Sequence, residues 1–216
     1  MEKSQLKAAI EHTLLKPTAT GHEIEKLCRE AIEHQFYGVC VSSYWLPLVG
    51  QLLRGSSVKI VSVAGFPLGT SATEVKCCEV EYAFSNGADE VDFVLNIGKL
   101  KSGDYSAIKK EFDALVTTAP QRSLKVILET CLLTQQEKQR ACEIARDSGI
   151  AFVKTSTGFS TGGATLEDVQ LMRKIVNGHS GVKASGGIRD RDTALAFLNA
   201  GADRLGTSSG VAIISE

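Results

Sequence analysis

The amino-acid sequence predicts a single-domain α/β protein, a (β/α)8 TIM barrel, and three observations carry that reading. Eight short, β-rich apolar runs alternate with amphipathic helical stretches along 216 residues, the pattern of parallel strands covered by helices. No Pro-rich, Ser-rich or low-complexity linker divides the chain, so one domain over residues 1–216 is expected. A glycine-led junction recurs ahead of three of the runs at a constant offset. The length lies at the compact end for this architecture, for which about 250 residues is typical.

The first strand is expected at Ile10–Leu15, followed by an amphipathic helix over Gly21–His34. Gly38–Ser42 and Lys59–Gly65 read as the second and third strands, and Ala72–Ser85 as the next helix. Glu90–Asn96 is the fourth strand, Tyr105–Thr117 its helix, and Lys125–Glu129 the fifth strand. Thr134–Ser148 is helical, Phe152–Thr157 is the sixth strand, and Leu166–Val176 the helix after it. Val182–Ser185, the helical Asp192–Ala200 and Arg204–Gly206 complete the alternation.

The junctions Asn86-Gly87-Ala88-Asp89, Asp147-Ser148-Gly149-Ile150 and Ala200-Gly201-Ala202-Asp203 each place a glycine where a helix ends. Five residues beyond each glycine stand Asp92, Lys154 and Gly206, in the fourth, sixth and eighth strands. Alternate strands of a barrel fill the same interior layer. Equal offsets therefore aim the Asp92 carboxylate and the Lys154 amine inward together, with Gly206 leaving space beside them. A Gly-Ala-Asp junction is common wherever a helix feeds a strand, so the shared phase is the signal.

Two lysines sit in otherwise apolar strands, in Ala151-Phe152-Val153-Lys154-Thr155-Ser156 and Gly181-Val182-Lys183-Ala184-Ser185. Burial and a second positive charge both favour a neutral amine, the form that attacks a carbonyl to make an imine. An unperturbed lysine near pKa ~10.4 is free base to about one part in a few thousand at neutral pH. A pKa of about 7–8 would raise the reactive fraction several hundredfold. For one lysine alone the simpler reading is a head group snorkelling to solvent over an apolar stem. Two of them, each followed by a Ser/Gly-rich loop, point to Schiff-base chemistry.

Asp92, in Glu90-Val91-Asp92-Phe93-Val94, needs a partner in such a strand. It is either half of a structural ion pair or a proton-handling group beside the lysines, and clustering at one barrel mouth favours the second. Gly186-Gly187 and Gly206-Thr207-Ser208-Ser209-Gly210 follow the last two strands, where barrels often bind phosphate through loop amides. Either loop alone is a tight turn; together they imply a small phosphorylated substrate. Thr157-Gly158-Phe159-Ser160-Thr161-Gly162-Gly163 adds a further mouth loop, Gly65-Phe66-Pro67-Leu68-Gly69 a βα turn, and Cys40 an inward, space-filling thiol.

A net charge of −1 with interspersed signs excludes an electrostatic footprint for nucleic acid or an anionic membrane. No apolar run spans a bilayer and Met1–Gln5 lacks a secretory pattern, so a cytoplasmic protein is expected. Six cysteines form no CxxC pair and four histidines share no ligand spacing, which leaves no expected metal or cofactor. A homo-oligomer is compatible with the sequence, and nothing in it specifies one.

These motifs, with Ile10-Glu11-His12-Thr13-Leu14-Leu15-Lys16-Pro17, Val39-Cys40-Val41, Leu128-Glu129-Thr130-Cys131-Leu132-Leu133-Thr134 and Val182-Lys183-Ala184-Ser185-Gly186-Gly187-Ile188-Arg189, closely resemble deoxyribose-phosphate aldolase over nearly the whole chain. The resemblance implies a cofactor-independent class I aldolase that cleaves 2-deoxy-D-ribose 5-phosphate to D-glyceraldehyde 3-phosphate and acetaldehyde in deoxyribose phosphate catabolism. It implies that Lys154 forms the Schiff base, that Asp92 and Lys183 are the proton donor and acceptor pair, and that Gly158, Gly186, Gly187, Gly206, Ser208 and Ser209 hold the phosphate. Glu11 stands where the family commonly has aspartate, which is expected to displace a carboxylate of the proton network. Ser42-Ser43 replaces a frequent Asn-Pro, and the chain ends at Glu216 without the tyrosine-bearing tail of some members.

Overall fold

The computed structural model describes residues 3–215; the terminal Glu216 lies outside them. Eight parallel strands close into a barrel in sequence order, β1 pairing with both β2 and β8. The strands are β1 (Ile10–Leu14), β2 (Gly38–Val41), β3 (Lys59–Ala64), β4 (Glu90–Val94), β5 (Ser123–Ile127), β6 (Phe152–Lys154), β7 (Gly181–Ser185) and β8 (Arg204–Thr207). The helices are α1 (Lys3–Lys7), α2 (Gly21–His34), α3 (Leu46–Leu52), α4 (Thr73–Ser85), α5 (Ile97–Lys101), α6 (Tyr105–Thr118), α7 (Gln135–Asp147), α8 (Leu166–Val176), α9 (Arg191–Asn199) and α10 (Gly210–Ser215).

Side chains alternate between the two faces of each strand, and the apolar residues sort accordingly into two clusters. Val39, Val41, Val91, Phe93, Val126, Val153, Val182 and Leu205 face outward into the core shared with the helices. Leu15, Cys40, Val61 and Val63 form a second, separate cluster inside the barrel. On β4 to β8 the inward positions include a run of charged residues, Glu90, Asp92, Lys125, Lys154, Lys183 and Arg204. The interior is thus apolar on the β2–β3 side and ionic opposite.

Local chemistry explains the helix ends. Thr20 and Thr134 cap α2 and α7 in reciprocal capping boxes with Glu23 and Glu137, satisfying free backbone donors. The three junction glycines all have positive φ, as a helix-terminating left-handed residue requires. At the end of α2 that conformation falls to Gln35, with φ of 55°, and five residues on Cys40 still points inward. The phase is therefore a property of the fold, with or without glycine.

Strands β1 to β6 end one to three residues before the apolar runs do, because the last residues turn out to build the mouth, whereas β7 ends as expected and β8 runs on to Thr207. In β6, Thr155 N–H still donates to Lys183 O at 3.1 Å, but Thr157 N–H is taken by the Glu129 carboxylate at 3.1 Å. Helices α1, α3, α5 and α10 have at most seven residues and carry too little periodicity to be read from sequence. Outside the barrel, Lys76 on α4 is fully buried, paired with Glu111 on α6 at 2.7 Å and donating to Val94 O at 2.8 Å. Gly65 makes room for it, since a Cβ there would sit 2.9 Å from Lys76 Cε. Among the described residues no helix is long and apolar enough to cross a membrane.

Phe93 is fully buried on the outer face of β4, edge-on to Phe112 of α6 at 5.4 Å between ring centroids. Phe93→Ala is expected to destabilise the fold by about 3–5 kcal/mol, read as a lower denaturant midpoint with an unchanged slope.

Candidate active site

Strands β4, β5, β6, β7 and β1 bring three lysines and three carboxylates together inside the barrel. Asp92 on β4 is fully buried, and its Oδ2 accepts from Lys154 Nζ at 2.8 Å and from Lys183 Nζ at 2.6 Å. Its Oδ1 accepts from Lys125 Nζ at 2.9 Å. Lys125 also meets Glu90 at 2.5 Å and Glu11 at 3.6 Å, while Lys183 donates to the second oxygen of Glu11. Three formal positive charges face three negative ones, which is what a low-dielectric interior demands.

The electrostatic consequences follow from these contacts. Burial acts to raise the pKa of Asp92, but Lys125, Lys154 and Lys183 outweigh it and hold the carboxyl well below its ordinary value of 3.8. Burial opposes the charge on Lys183, yet Asp92 and Glu11 reverse the balance and raise its pKa above the ordinary lysine value. Lys125 is raised in the same way, by Asp92, Glu11 and Glu90 against burial. The expectation that burial drives both strand lysines toward the neutral amine therefore fails for Lys183, because two carboxylates sit on it. Burial pushes the Cys40 thiol up, so it stays neutral and fills space.

Above this cluster, at the C-terminal ends of the strands, opens a cavity of about 350 Å³. Lys154 is on its wall, whereas the fully buried Asp92 and Lys183 lie behind it. Thr13, Leu15 and Lys16 close one side, Thr157 to Phe159 another, and Ser185 to Arg189 with Gly206 to Ser208 a third. Gly186 and Gly187 both have φ of 85°, where side chains are strained, and a Cβ on Gly186 would sit 2.9 Å from Gly163 Cα. Gly206 does what its offset predicts: a Cβ there would meet Lys183 Cε at 3.1 Å. The arrangement presents an amine at the floor of an open pocket whose rim carries glycine amides, a hydroxyl and the cations Lys16 and Arg189.

The DeoC/LacD family aldolase profile matches residues 6–216. The chain belongs to this aldolase family. The deoxyribose-phosphate aldolase of Brevibacillus brevis is 57% identical over 206 residues, 95% of this chain and 93% of the relative. That of Thermococcus kodakarensis is 53% identical over 218 residues, covering 99% and 97%. Among solved structures, the tetrameric deoxyribose phosphate aldolase of Aeropyrum pernix superposes with a TM-score of 0.92 at 34% identity, covering 99% of this chain and 91% of that one. QR15, an aldolase, gives 0.93 at 40% identity, covering 97% and 94%.

In this DeoC/LacD aldolase, eight of the nine site residues predicted from sequence lie on the cavity wall or directly beneath it: Lys154, Asp92, Lys183, Gly158, Gly186, Gly187, Gly206 and Ser208. Ser209 falls just outside the wall, half-buried, its N–H donating to Thr207 Oγ1 at 2.9 Å. Glu11 reaches the cluster, its carboxylate spanning Lys183 and Lys125. Lys125, Glu90 and the rim cations Lys16 and Arg189 had not been singled out. Lys125 was legible by the same criterion as Lys154, a lysine flanked by Leu124 and Val126, but the expected strand began at it and so placed it at an end.

A carboxyl held below its ordinary pKa stabilises the fold above that value and ceases to do so as pH falls through the folded value. The aldolase should lose thermal stability as pH drops below about 4, and Asp92→Asn should flatten part of that acid dependence. At neutral pH the same substitution, which strands buried ammonium groups, should cost about 3–5 kcal/mol. Melting curves between pH 3 and 7 on both proteins check both statements.

Proposed function

We propose that this aldolase cleaves 2-deoxy-D-ribose 5-phosphate reversibly to D-glyceraldehyde 3-phosphate and acetaldehyde through a Schiff base on Lys154. The observation that carries this reading is that Lys154 alone of the three clustered lysines lines the cavity, with Asp92 and Lys183 in contact behind it. The names of the relatives at 52–57% identity support the substrate.

In this mechanism the free amine of Lys154 attacks C1 of the open-chain aldehyde, and loss of water leaves a protonated imine. Removal of the 3-hydroxyl proton breaks the C2–C3 bond, its electron pair moving into the imine to give an enamine as glyceraldehyde 3-phosphate departs. Asp92 and Lys183 form the proton-handling pair, one fixed as an anion and the other as a cation within hydrogen-bond reach of the reacting nitrogen's partner. Protonation of the enamine at C2 and hydrolysis release acetaldehyde and restore Lys154. The substrate phosphate sits against the amides of Gly158, Gly186, Gly187 and Gly206 and the Ser208 hydroxyl, with Arg189 and Lys16 supplying charge at the rim. A cavity of about 350 Å³ suits a five-carbon sugar phosphate.

Lys154→Leu should abolish turnover and borohydride trapping of acetaldehyde while leaving a folded barrel; measurable cleavage by the folded variant overturns the mechanism. Arg189→Ala should raise KM for the phosphorylated sugar about tenfold or more, the worth of a charge-assisted hydrogen bond. Cleavage of unphosphorylated 2-deoxyribose should be unchanged. Equal losses on both substrates would remove Arg189 from the phosphate site.

A further inference from the structure

The interior cluster does not stop at the groups that face the cavity. Glu90, the first residue of β4, points inward two residues below Asp92, at the end of the barrel away from the mouth, and is 7% exposed. One oxygen lies 2.5 Å from Lys125 Nζ; the other accepts from the Tyr37 hydroxyl at 2.5 Å. Tyr37 is in turn covered by the Arg204 guanidinium, 3.8 Å above its ring centroid. Nothing in the cleavage mechanism uses this assembly, yet it holds a buried carboxylate against a buried lysine.

We propose that Glu90 is a positioning residue for the reaction: by fixing Lys125 and keeping the six-charge cluster neutral, it sets the pH range over which Lys154 forms an imine. The inference rests on the Schiff-base reading of Lys154. Lys125 shares Asp92 Oδ1 and leaves Oδ2 to Lys154 and Lys183. Without the Glu90 charge, the interior holds three lysines against Glu11 and Asp92 alone, a net positive charge in a low dielectric. That excess bears most on the lysine that meets the cavity, which has one carboxylate contact where Lys125 and Lys183 each keep two.

The other charged or titratable neighbours are the same in every variant, the fixed cation of Arg204 included. Around the cluster, β1 contributes Glu11, β2 the neutral thiol of Cys40, β3 the apolar Val61 and Val63, and β8 Arg204. Tyr37 is neutral, burial and Glu90 both raising its pKa. Lys59 and Asp89 at the rim pair with each other at 3.1 Å.

The test is the pH dependence of borohydride trapping of acetaldehyde on Lys154, located by peptide mass spectrometry, in the wild type and four variants. Glu90→Gln should move the acid limb about one pH unit lower, so that trapping at a fixed pH on that limb rises about tenfold. Lys125→Met, which removes a positive charge, should move it the other way. The double variant should return to the wild-type position, and Glu90→Asp should stay near it. Limbs that coincide in all variants, with only uniform losses of rate, would make Glu90 purely structural and overturn the proposal. Should Glu90→Gln fail to fold, the shift of Lys125→Met decides alone, an unshifted limb being the negative result. Absence of any wild-type adduct on Lys154 would instead overturn the Schiff-base reading itself.

Discussion

The Asp92 carboxylate, shared by three lysines in the sealed middle of the barrel, is the contact on which the rest of the interior depends. Burying any one of these charges alone would cost several kcal/mol, and a single ion pair often fails to recover that. Here each oxygen of Asp92 is occupied, Oδ1 by Lys125 and Oδ2 by Lys154 and Lys183. Glu11 and Glu90 complete the balance from β1 and from the base of β4. The apolar wall of Leu15, Cys40, Val61 and Val63 across the barrel offers these charges no alternative partner, so the ionic geometry is over-determined and each lysine has one place to go.

That constraint separates what holds the protein together from what acts. The outward residues of the strands and the helix faces make one continuous apolar shell that would be stable with many different interiors. The inward residues are free of that duty and carry charge instead. At the mouth, close backbone packing takes over from side chains: Gly163 lies against Gly186, and Glu129 accepts from both the N–H and the hydroxyl of Thr157. The loops that shape the pocket are thus tied to strand ends, which keeps their amides in place around the cavity mouth.

The fold and much of the site were legible because one periodic signal runs through the chain. The offset of five from helix end to inward residue located Asp92, Lys154 and Gly206, and it holds at Cys40, where Gln35 adopts the conformation glycine adopts elsewhere. The same signal was lost at Lys125, because no glycine-led junction precedes β5, which starts two residues before it at Ser123. Glu90 carries no such signal, since Tyr37 and Arg204, which cover it, lie far from it in the sequence. Ser209 was assigned to the phosphate by the family resemblance, whereas Ser208 lines the cavity and the Ser209 N–H turns back to Thr207 Oγ1. Rim charges such as Lys16 and Arg189 carry no sequence pattern at all; only the closure of the barrel brings β1 and β7 loops to one opening.

Three chemically identical side chains therefore occupy one cluster, and position alone differentiates them. Lys125 is enclosed by three carboxylates and Lys183 by two, with Gly206 allowing the Lys183 chain to pass close to β8. Lys154 has a single carboxylate contact and a face on the cavity. Of the three clustered lysines, Lys154 is the one whose amine is reachable from the mouth. Glu11 joins the cluster from β1, one oxygen on Lys183 and the other 3.6 Å from Lys125 Nζ.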